Sequence, residues 1–192
     1  ATATNDNQAV ILKLGCETDF VAKNPDFVSA AEKLAQDFLS NGKDFDATDI
    51  VNEIGLKIGE KVDLVEIKFL ENGTFGNYVH SNKKVGAIIA LDGSTPELAR
   101  DIAMHVTAMN PLVISPDEVP EEAVKKEREI WTEQLKNEGK PEEILDKIMI
   151  GKEKKFREEN ALIKQAFVKD SEKTIEQSLE GAHVKGFVRL GN

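Results

Sequence analysis

The sequence predicts an α+β fold made of two related lobes with antiparallel sheets and a protruding antiparallel helical hairpin. Two stretches of the chain each run from a strand-like apolar segment through a loop to a helix that begins at proline. A long, highly charged stretch with helical periodicity follows them, and a last alternating segment closes the chain. A strand that returns after a long insertion has to pair with a distant strand, which favours an α+β fold over separate helical and β domains.

The first lobe covers residues 1–60 and begins with a strand and a long helix. The apolar, β-branched run at 8–14 predicts the strand. Asn24 can cap a helix whose first residue is Pro25, and Gly42 predicts its end. The apolar stripe of this helix repeats at steps of four, three and four residues: Phe27, Ala31, Leu34 and Phe38. A shorter helix follows, with one apolar face and a terminal glycine: Ile50, Ile54, Ile58 and Gly59.

The second lobe, whose first part covers residues 61–116, is rich in predicted strands. The alternation at 61–71 changes phase after Leu64, which predicts a β-bulge. The Asn-Gly pair at 72–73 is a strong hairpin signal and predicts that the strand at 74–81 folds back on its predecessor.

A second copy of the strand, loop and helix pattern completes this part of the chain. The run at 85–91 is apolar throughout and predicts a central strand. Thr95 and Pro96 repeat the capped, proline-started helix, and its predicted apolar stripe consists of Leu98, Ile102, Val106 and Met109. The similarity of the two copies is the reason for predicting two related lobes.

Residues 117–160 differ in character from the lobes, with 14 acidic and 10 basic side chains. Two amphipathic helices are predicted, the second of them beginning at Pro141, and together they form an antiparallel hairpin with a thin apolar seam. The predicted seam residues are Val124, Trp131 and Leu135 on the first helix and Ile144, Ile148 and Phe156 on the second. Residues 161–192 return to the second lobe with a short helix ending at Gly181 and a closing strand at 182–190.

Composition excludes several classes of function. The net charge of −10 argues against direct nucleic-acid binding, which needs a dense basic face. No apolar run is long enough to span a membrane, and the N-terminus lacks the pattern of a secretory signal. The single cysteine, Cys16, cannot form an intrachain disulfide. We therefore expect a cytoplasmic protein, with the plastid or mitochondrial matrix as the alternative compartments.

The sequence contains no recognisable enzyme signature. The three histidines form no zinc-type spacing with each other or with Cys16, and no glycine-rich loop matches a nucleotide cradle. We therefore expect neither a cofactor nor a metal. A hydrolase using Cys16 with His105, or a surface carboxylate, remains the enzymatic alternative, and the apolar flanks of Cys16 favour an ordinary buried thiol instead.

The segment GCETDFVAKNPDF at 15–27 is the most informative stretch for function. Phe20 is either a core residue tucked under the following helix or an exposed interface anchor. Polar neighbours on its N-terminal side and the length of the connection favour the anchor. The role of His105 also has two interpretations, because helical periodicity alone fits both a core-edge histidine and a partner contact.

Several segments of the chain resemble the elongation factor Ts family, the nucleotide exchange factors of elongation factor Tu. The resemblance rests on CETDFVAKN at 16–24, YVHSNKKVGAIIAL at 78–91 and RDIAMHVTAMNP at 100–111. The segment at 139–156 resembles the family's coiled-coil arm, and those at 165–179 and 184–190 resemble its closing segment, although Ala166 stands where proline is common. The resemblance covers the family's core and coiled-coil region and implies either that the small ubiquitin-associated-like domain with which the family usually begins was removed, or that this is a core-only form.

The resemblance implies a function without bond chemistry. Phe20 is expected to insert between helices of the GTPase domain of elongation factor Tu and to disturb its magnesium and phosphate site. Asp19 is expected to orient that wedge, and the tip is shaped by Thr18, Val21 and Asn24. Gly86 and His105 are the candidates for a second contact, on the third domain of the GTPase. A partner-binding module of the same fold without exchange activity is the alternative, and self-association is the alternative role of the arm.

Overall fold

The computed structural model describes residues 1–138 and 142–191. It confirms an α+β fold with small antiparallel sheets. Contacts between residues divide the chain into two compact units, one formed by Ala1–Met109 with the segment from Leu179 onward and the other by Asn110–Ser178. The lobe and arm boundaries predicted above stay a prediction.

The first sheet of the larger unit has the order β1-β2-β3 and is antiparallel throughout. Its strands are β1 (Thr2–Thr4), β2 (Gln8–Gly15) and β3 (Asp63–Glu71). Sequence analysis did not predict β1, since a three-residue strand carries too little pattern to detect. The predicted bulge is confirmed: Lys13 pairs with Glu66 and Leu14 with Leu64, which leaves Val65 as the additional residue.

Three helices connect β2 to β3: α1 (Asp19–Ala22), α2 (Pro25–Asn41) and α3 (Thr48–Ile58). The predicted stripe of α2 is buried, and Leu34 and Phe38 belong to the same hydrophobic core as Val10 and Leu12 of β2. On α3 only Ile54 of the predicted face is buried, together with Val51. Both helices end at a glycine with positive φ, at Gly42 and Gly59, as predicted.

The second sheet has the order β4-β5-β8, from strands β4 (Thr74–Val79), β5 (Gly86–Asp92) and β8 (His183–Leu190). Strand β5 is central, as predicted, and the closing strand pairs with it in antiparallel register. The predicted β3–β4 hairpin is wrong, because those strands belong to different sheets. The Asn-Gly signal at 72–73 does produce positive φ angles, but here the turn passes the chain from one sheet to the other.

Helix α4 (Pro96–Met109) packs on the second sheet. Its buried face consists of Ala99, Ile102, Ala103, His105, Val106 and Thr107. The predicted stripe is wrong at its two ends, because Leu98 is only partly buried and Met109 is 47% exposed. The helix approaches β4 so closely that a Cβ on Gly76 would overlap the backbone of Ala99 and Arg100.

The smaller unit contains the two predicted arm helices, α5 (Glu121–Asn137) and α6 (Glu142–Asn160). They run antiparallel, since Arg157 pairs with Glu121 at 2.6 Å and Arg128 with Glu153 at 3.3 Å. Trp131 packs edge-on against Phe156, with 5.8 Å between ring centroids, and the three seam residues predicted on α5 are buried.

The predicted face of α6 is wrong at Ile144, which is 42% exposed, and Ile148 is partly buried. The predicted helix start at Pro141 lies outside the described residues. In place of the single predicted helix before Gly181, the chain forms a two-stranded hairpin, β6 (Ala166–Phe167) and β7 (Asp170–Thr174), and one helical turn, α7 (Ile175–Ser178). Short 3₁₀ turns occur at Pro116–Glu118 and Leu162–Lys164.

Candidate partner-binding site

The segment after β2, which the sequence predicts as a loop, contains one turn of helix, α1. Thr18 is its N-cap: the backbone there is extended, and the hydroxyl oxygen accepts a hydrogen bond from Val21 N at 3.4 Å. Threonine is favoured at this position because its side chain satisfies an otherwise unpaired N–H group of the first turn. We call residues 18–21 the tip.

Phe20 lies on the outer side of the tip, and its side chain is 89% exposed. The alternative that placed this ring in the core is therefore wrong. Val21 points the other way and packs, partly buried, against the core formed by β2, α2 and α3. One residue thus anchors the tip to the body of the protein while its neighbour presents a large apolar ring to solvent, the arrangement of an interface anchor.

The base of the tip is held by Glu60, just beyond the end of α3. Its Oε2 accepts hydrogen bonds from Glu17 N at 3.1 Å and Thr18 N at 3.0 Å, and its Oε1 accepts one from Thr18 Oγ1 at 2.6 Å. Sequence analysis missed Glu60, because it lies 42 residues from Thr18 and no local pattern connects the two.

Asp19 forms an ion pair with Lys84 of the β4–β5 turn, with 2.7 Å between Oδ1 and Nζ. The hydrogen bond from Lys84, and then its positive charge, lower the pKa of Asp19. A carboxylate accepts several hydrogen bonds, so this pair is compatible with the predicted contact of Asp19 to a partner. Lys84 is a second functional candidate that sequence reasoning missed, for the same reason as Glu60.

Replacing Lys84 by alanine is expected to raise the pKa of Asp19 toward the ordinary value of about 3.9. A lowered carboxyl pKa means that the ion pair is complete above the ordinary pKa and is lost only as pH falls through the lowered value. The pair therefore stays constant between about pH 6 and 8. An NMR titration of the Asp19 carboxyl measures the shift, with Lys33→Ala as the control because Lys33 pairs with Asp37. An unchanged Asp19 pKa in Lys84→Ala would contradict the pairing.

Cys16 adjoins the tip without being placed for nucleophilic chemistry. Its Sγ donates a hydrogen bond to Thr18 O at 3.4 Å. Burial, and then the negative charge of Glu60, raise the pKa of the thiol. A reactive cysteine needs a lowered pKa in electropositive surroundings, so this environment disfavours the hydrolase alternative.

Three predicted site residues remain: Asn24, Gly86 and His105. Asn24 caps α2, with its Oδ1 accepting from Asp26 N at 2.8 Å. Gly86 begins β5, where a Cβ would lie 2.9 Å from Tyr78 O. His105 is fully buried within α4, which fits the core histidine that was one of the two sequence alternatives, and its role in a partner contact stays a prediction.

A small cavity lies where the β4–β5 turn meets the C-terminal half of α4. Its volume is about 260 Å³. The lining residues include Tyr78, His80, Val85, Met104 and Thr107. Gly86 and His105 do not line this cavity, but they are the chain neighbours of two residues that do, Val85 and Met104. Among residues 1–138 and 142–191, no group of three or more acidic, histidine or cysteine side chains is arranged to hold a metal ion.

Comparison with known proteins shows to which family the chain belongs. The family model described as Elongation factor TS matches residues 17–191, which include the tip, Glu60, Lys84 and the arm helices. The chain belongs to the elongation factor Ts family. Its members take part in translation elongation, and the resemblance stated from the sequence is confirmed over nearly the whole chain.

Individual elongation factor Ts proteins match at similar levels. The chain is 40% identical over 209 aligned positions to Elongation factor Ts of Hydrogenovibrio crunogenus, which covers 99% of this chain and 70% of the relative. It is 41% identical over 197 positions to that of Deinococcus deserti, covering 96% of this chain and 74% of the relative. The protein of Francisella tularensis is 39% identical over 200 positions. No helix among the described residues has the length and apolar content needed to cross a membrane.

Proposed function

We propose that this chain is a guanine nucleotide exchange factor that binds elongation factor Tu and promotes the release of GDP. The observation that carries the proposal is the exposed ring of Phe20 on a braced helical turn. Exchange of this kind makes and breaks no covalent bond, so the protein acts as a binding partner and not as an enzyme. Its proposed partner is the GTPase alone, without direct contact to nucleic acid or membrane.

The proposed mechanism is a wedge. Phe20 enters between helices of the GTPase domain and displaces elements that hold magnesium and the nucleotide phosphates. The tip is tied to Glu60 and Lys84, and its own Val21 packs against the core, so it resists deformation on insertion. Strain then falls on the partner's nucleotide site and not on the tip.

The energetic basis is linkage between two ligands of one GTPase. If the factor binds best when the magnesium and phosphate contacts are broken, then bound nucleotide weakens the factor by the same ratio. Couplings of about 1–3 kcal/mol correspond to roughly 5–150-fold. A larger acceleration requires a second contact that keeps the partner in place while the tip distorts it. We propose that contact at Gly86 and His105 and at the neighbouring cavity surface lined by Val85 and Met104.

The exchange reaction can be tested directly with elongation factor Tu loaded with fluorescent GDP. Adding the chain is expected to accelerate the loss of fluorescence, and excess GDP with magnesium is expected to release the factor from the complex, as linkage requires. Binding without any acceleration would instead identify a partner-binding module without exchange activity. A chain that neither binds nor accelerates release would contradict the proposal.

Self-association is an alternative to binding of elongation factor Tu as the proposed role of the arm, the helices α5 and α6. Ile130 on α5 and Ile150 on α6 are 48% and 68% exposed. Sedimentation of the whole chain and of a variant without residues 121–158 would show whether any dimer depends on the arm. We propose the compartment that contains elongation factor Tu, the cytoplasm or an organelle matrix, as the place of action.

A further inference from the structure

The conformation of the tip depends on hydrogen bonds from a residue outside it, a feature that membership of the family does not by itself explain. A single helical turn is unstable by itself, because its first hydrogen bonds do not repay the cost of fixing the backbone. The cap bond within the tip is long, at 3.4 Å from Val21 N to Thr18 Oγ1. Something outside the tip must therefore hold it in one conformation.

The Glu60 carboxylate supplies that support through three hydrogen bonds, to Glu17 N, Thr18 N and Thr18 Oγ1. Hydrogen bonds to an ionised group are shorter and about twice as strong as neutral ones. The support is reciprocal, since Glu17 Oε2 accepts a hydrogen bond from Lys61 N at 3.2 Å. We call these four bonds the carboxylate clamp.

The clamp also sets the direction of the Thr18 hydroxyl. Because Thr18 donates its hydroxyl proton to Glu60 Oε1, the hydroxyl oxygen is left to accept from Val21 N. Glu60 thus organises the N-cap, and the N-cap starts the turn that carries Phe20. Gly59, with φ of 82°, ends α3 and turns the chain so that Glu60 follows at the base of the tip.

We propose that Glu60 is the positioning residue of the tip: its carboxylate fixes Thr18 and thereby holds the Phe20 ring in the orientation needed to enter the partner. The ordering of the tip then precedes binding, which lowers the entropy cost of the complex. This inference rests on the proposed exchange function, and its first test is independent of that function.

The first test measures the tip in the absence of any partner. Amide order parameters of residues 18–21 are expected near 0.85 in the unaltered chain and below about 0.6 in Glu60→Ala. Glu60→Gln keeps an acceptor oxygen but loses the charge, so it is expected to lie between them. Glu53→Ala is the matched control, because Glu53 is an exposed carboxylate on α3 outside the clamp. Order parameters that stay high in Glu60→Ala would overturn the inference.

The second test measures exchange with the same variants. Glu60→Ala is expected to slow GDP release about tenfold at a fixed subsaturating concentration of factor, with partial rescue in Glu60→Gln and no change in Glu53→Ala. If Phe20→Ala slows release but a loosened Glu60→Ala tip does not, the positioning role is wrong while the exchange function stands. If Phe20→Ala also leaves release unchanged, the wedge itself fails, and the order parameters still decide whether Glu60 orders the tip.

Discussion

Phe20→Ala is expected to slow the release of GDP from elongation factor Tu by roughly 30-fold or more, because an interface anchor typically contributes at least about 2 kcal/mol. The free energy of unfolding is expected to change by less than about 0.5 kcal/mol, since the ring is 89% exposed and its loss opens no cavity. Stopped-flow measurement with fluorescent GDP gives the rate, and urea unfolding gives the stability.

Leu56→Ala is the matched control for this substitution. Leu56 is also a large apolar side chain, 84% exposed, but it lies on α3 outside the tip. General loss of surface hydrophobicity would slow release equally in both variants, whereas a wedge predicts an effect at Phe20 alone. Release at the unaltered rate in Phe20→Ala would reject the wedge.

The exposure of Phe20 could be predicted because its signal is local. Polar residues directly precede the ring, and the capped start of α2 at Asn24 and Pro25 fixes where the next helix begins. What the sequence did not show is how Thr18 would be used. Its hydroxyl caps a turn that is too short to give helical periodicity, so the sequence predicts only a loop here.

The residues that brace the tip could not be predicted, because they arrive from distant parts of the chain. Glu60 follows α3, and Lys84 lies in the turn between β4 and β5. Neither stands out in a chain in which 31% of residues are charged. Their role depends on tertiary placement, which places one acceptor and one cation within hydrogen-bonding distance of the tip.

The errors in the fold prediction have a related cause. The Asn-Gly pair at 72–73 specifies a reversal of the backbone, but it does not specify which strand pairs with the strand that follows. In the structure β3 pairs with β2, whereas β4 pairs with β5 in the other sheet. The predicted apolar stripes of α4 and α6 extend along the whole length of each helix. Burial stops where the packing partner stops, which leaves Met109 and Ile144 exposed.

Gly76→Ala is expected to lower the free energy of unfolding by about 3 kcal/mol or more. Overpacking a core usually costs about 1–3 kcal/mol when side chains can adjust. Here the new methyl group would meet the carbonyl group of Ala99 and the amide of Arg100, so only a movement of α4 away from β4 could accommodate it. Urea unfolding, with hydrogen exchange of the β4 and β5 amides, measures the loss and locates it.

Gly151→Ala is the control with the opposite expected sign. Gly151 lies within α6, and a Cβ there would meet nothing within 4 Å. The same substitution is therefore expected to stabilise the helix by up to about 1 kcal/mol, because alanine has the higher helix propensity. Stability equal to the unaltered chain in Gly76→Ala would mean that α4 does not approach β4 as described. A displaced α4 would also move His105 and the nearby cavity, so the variant is expected to weaken the proposed second contact with elongation factor Tu while Phe20 and the tip remain in place.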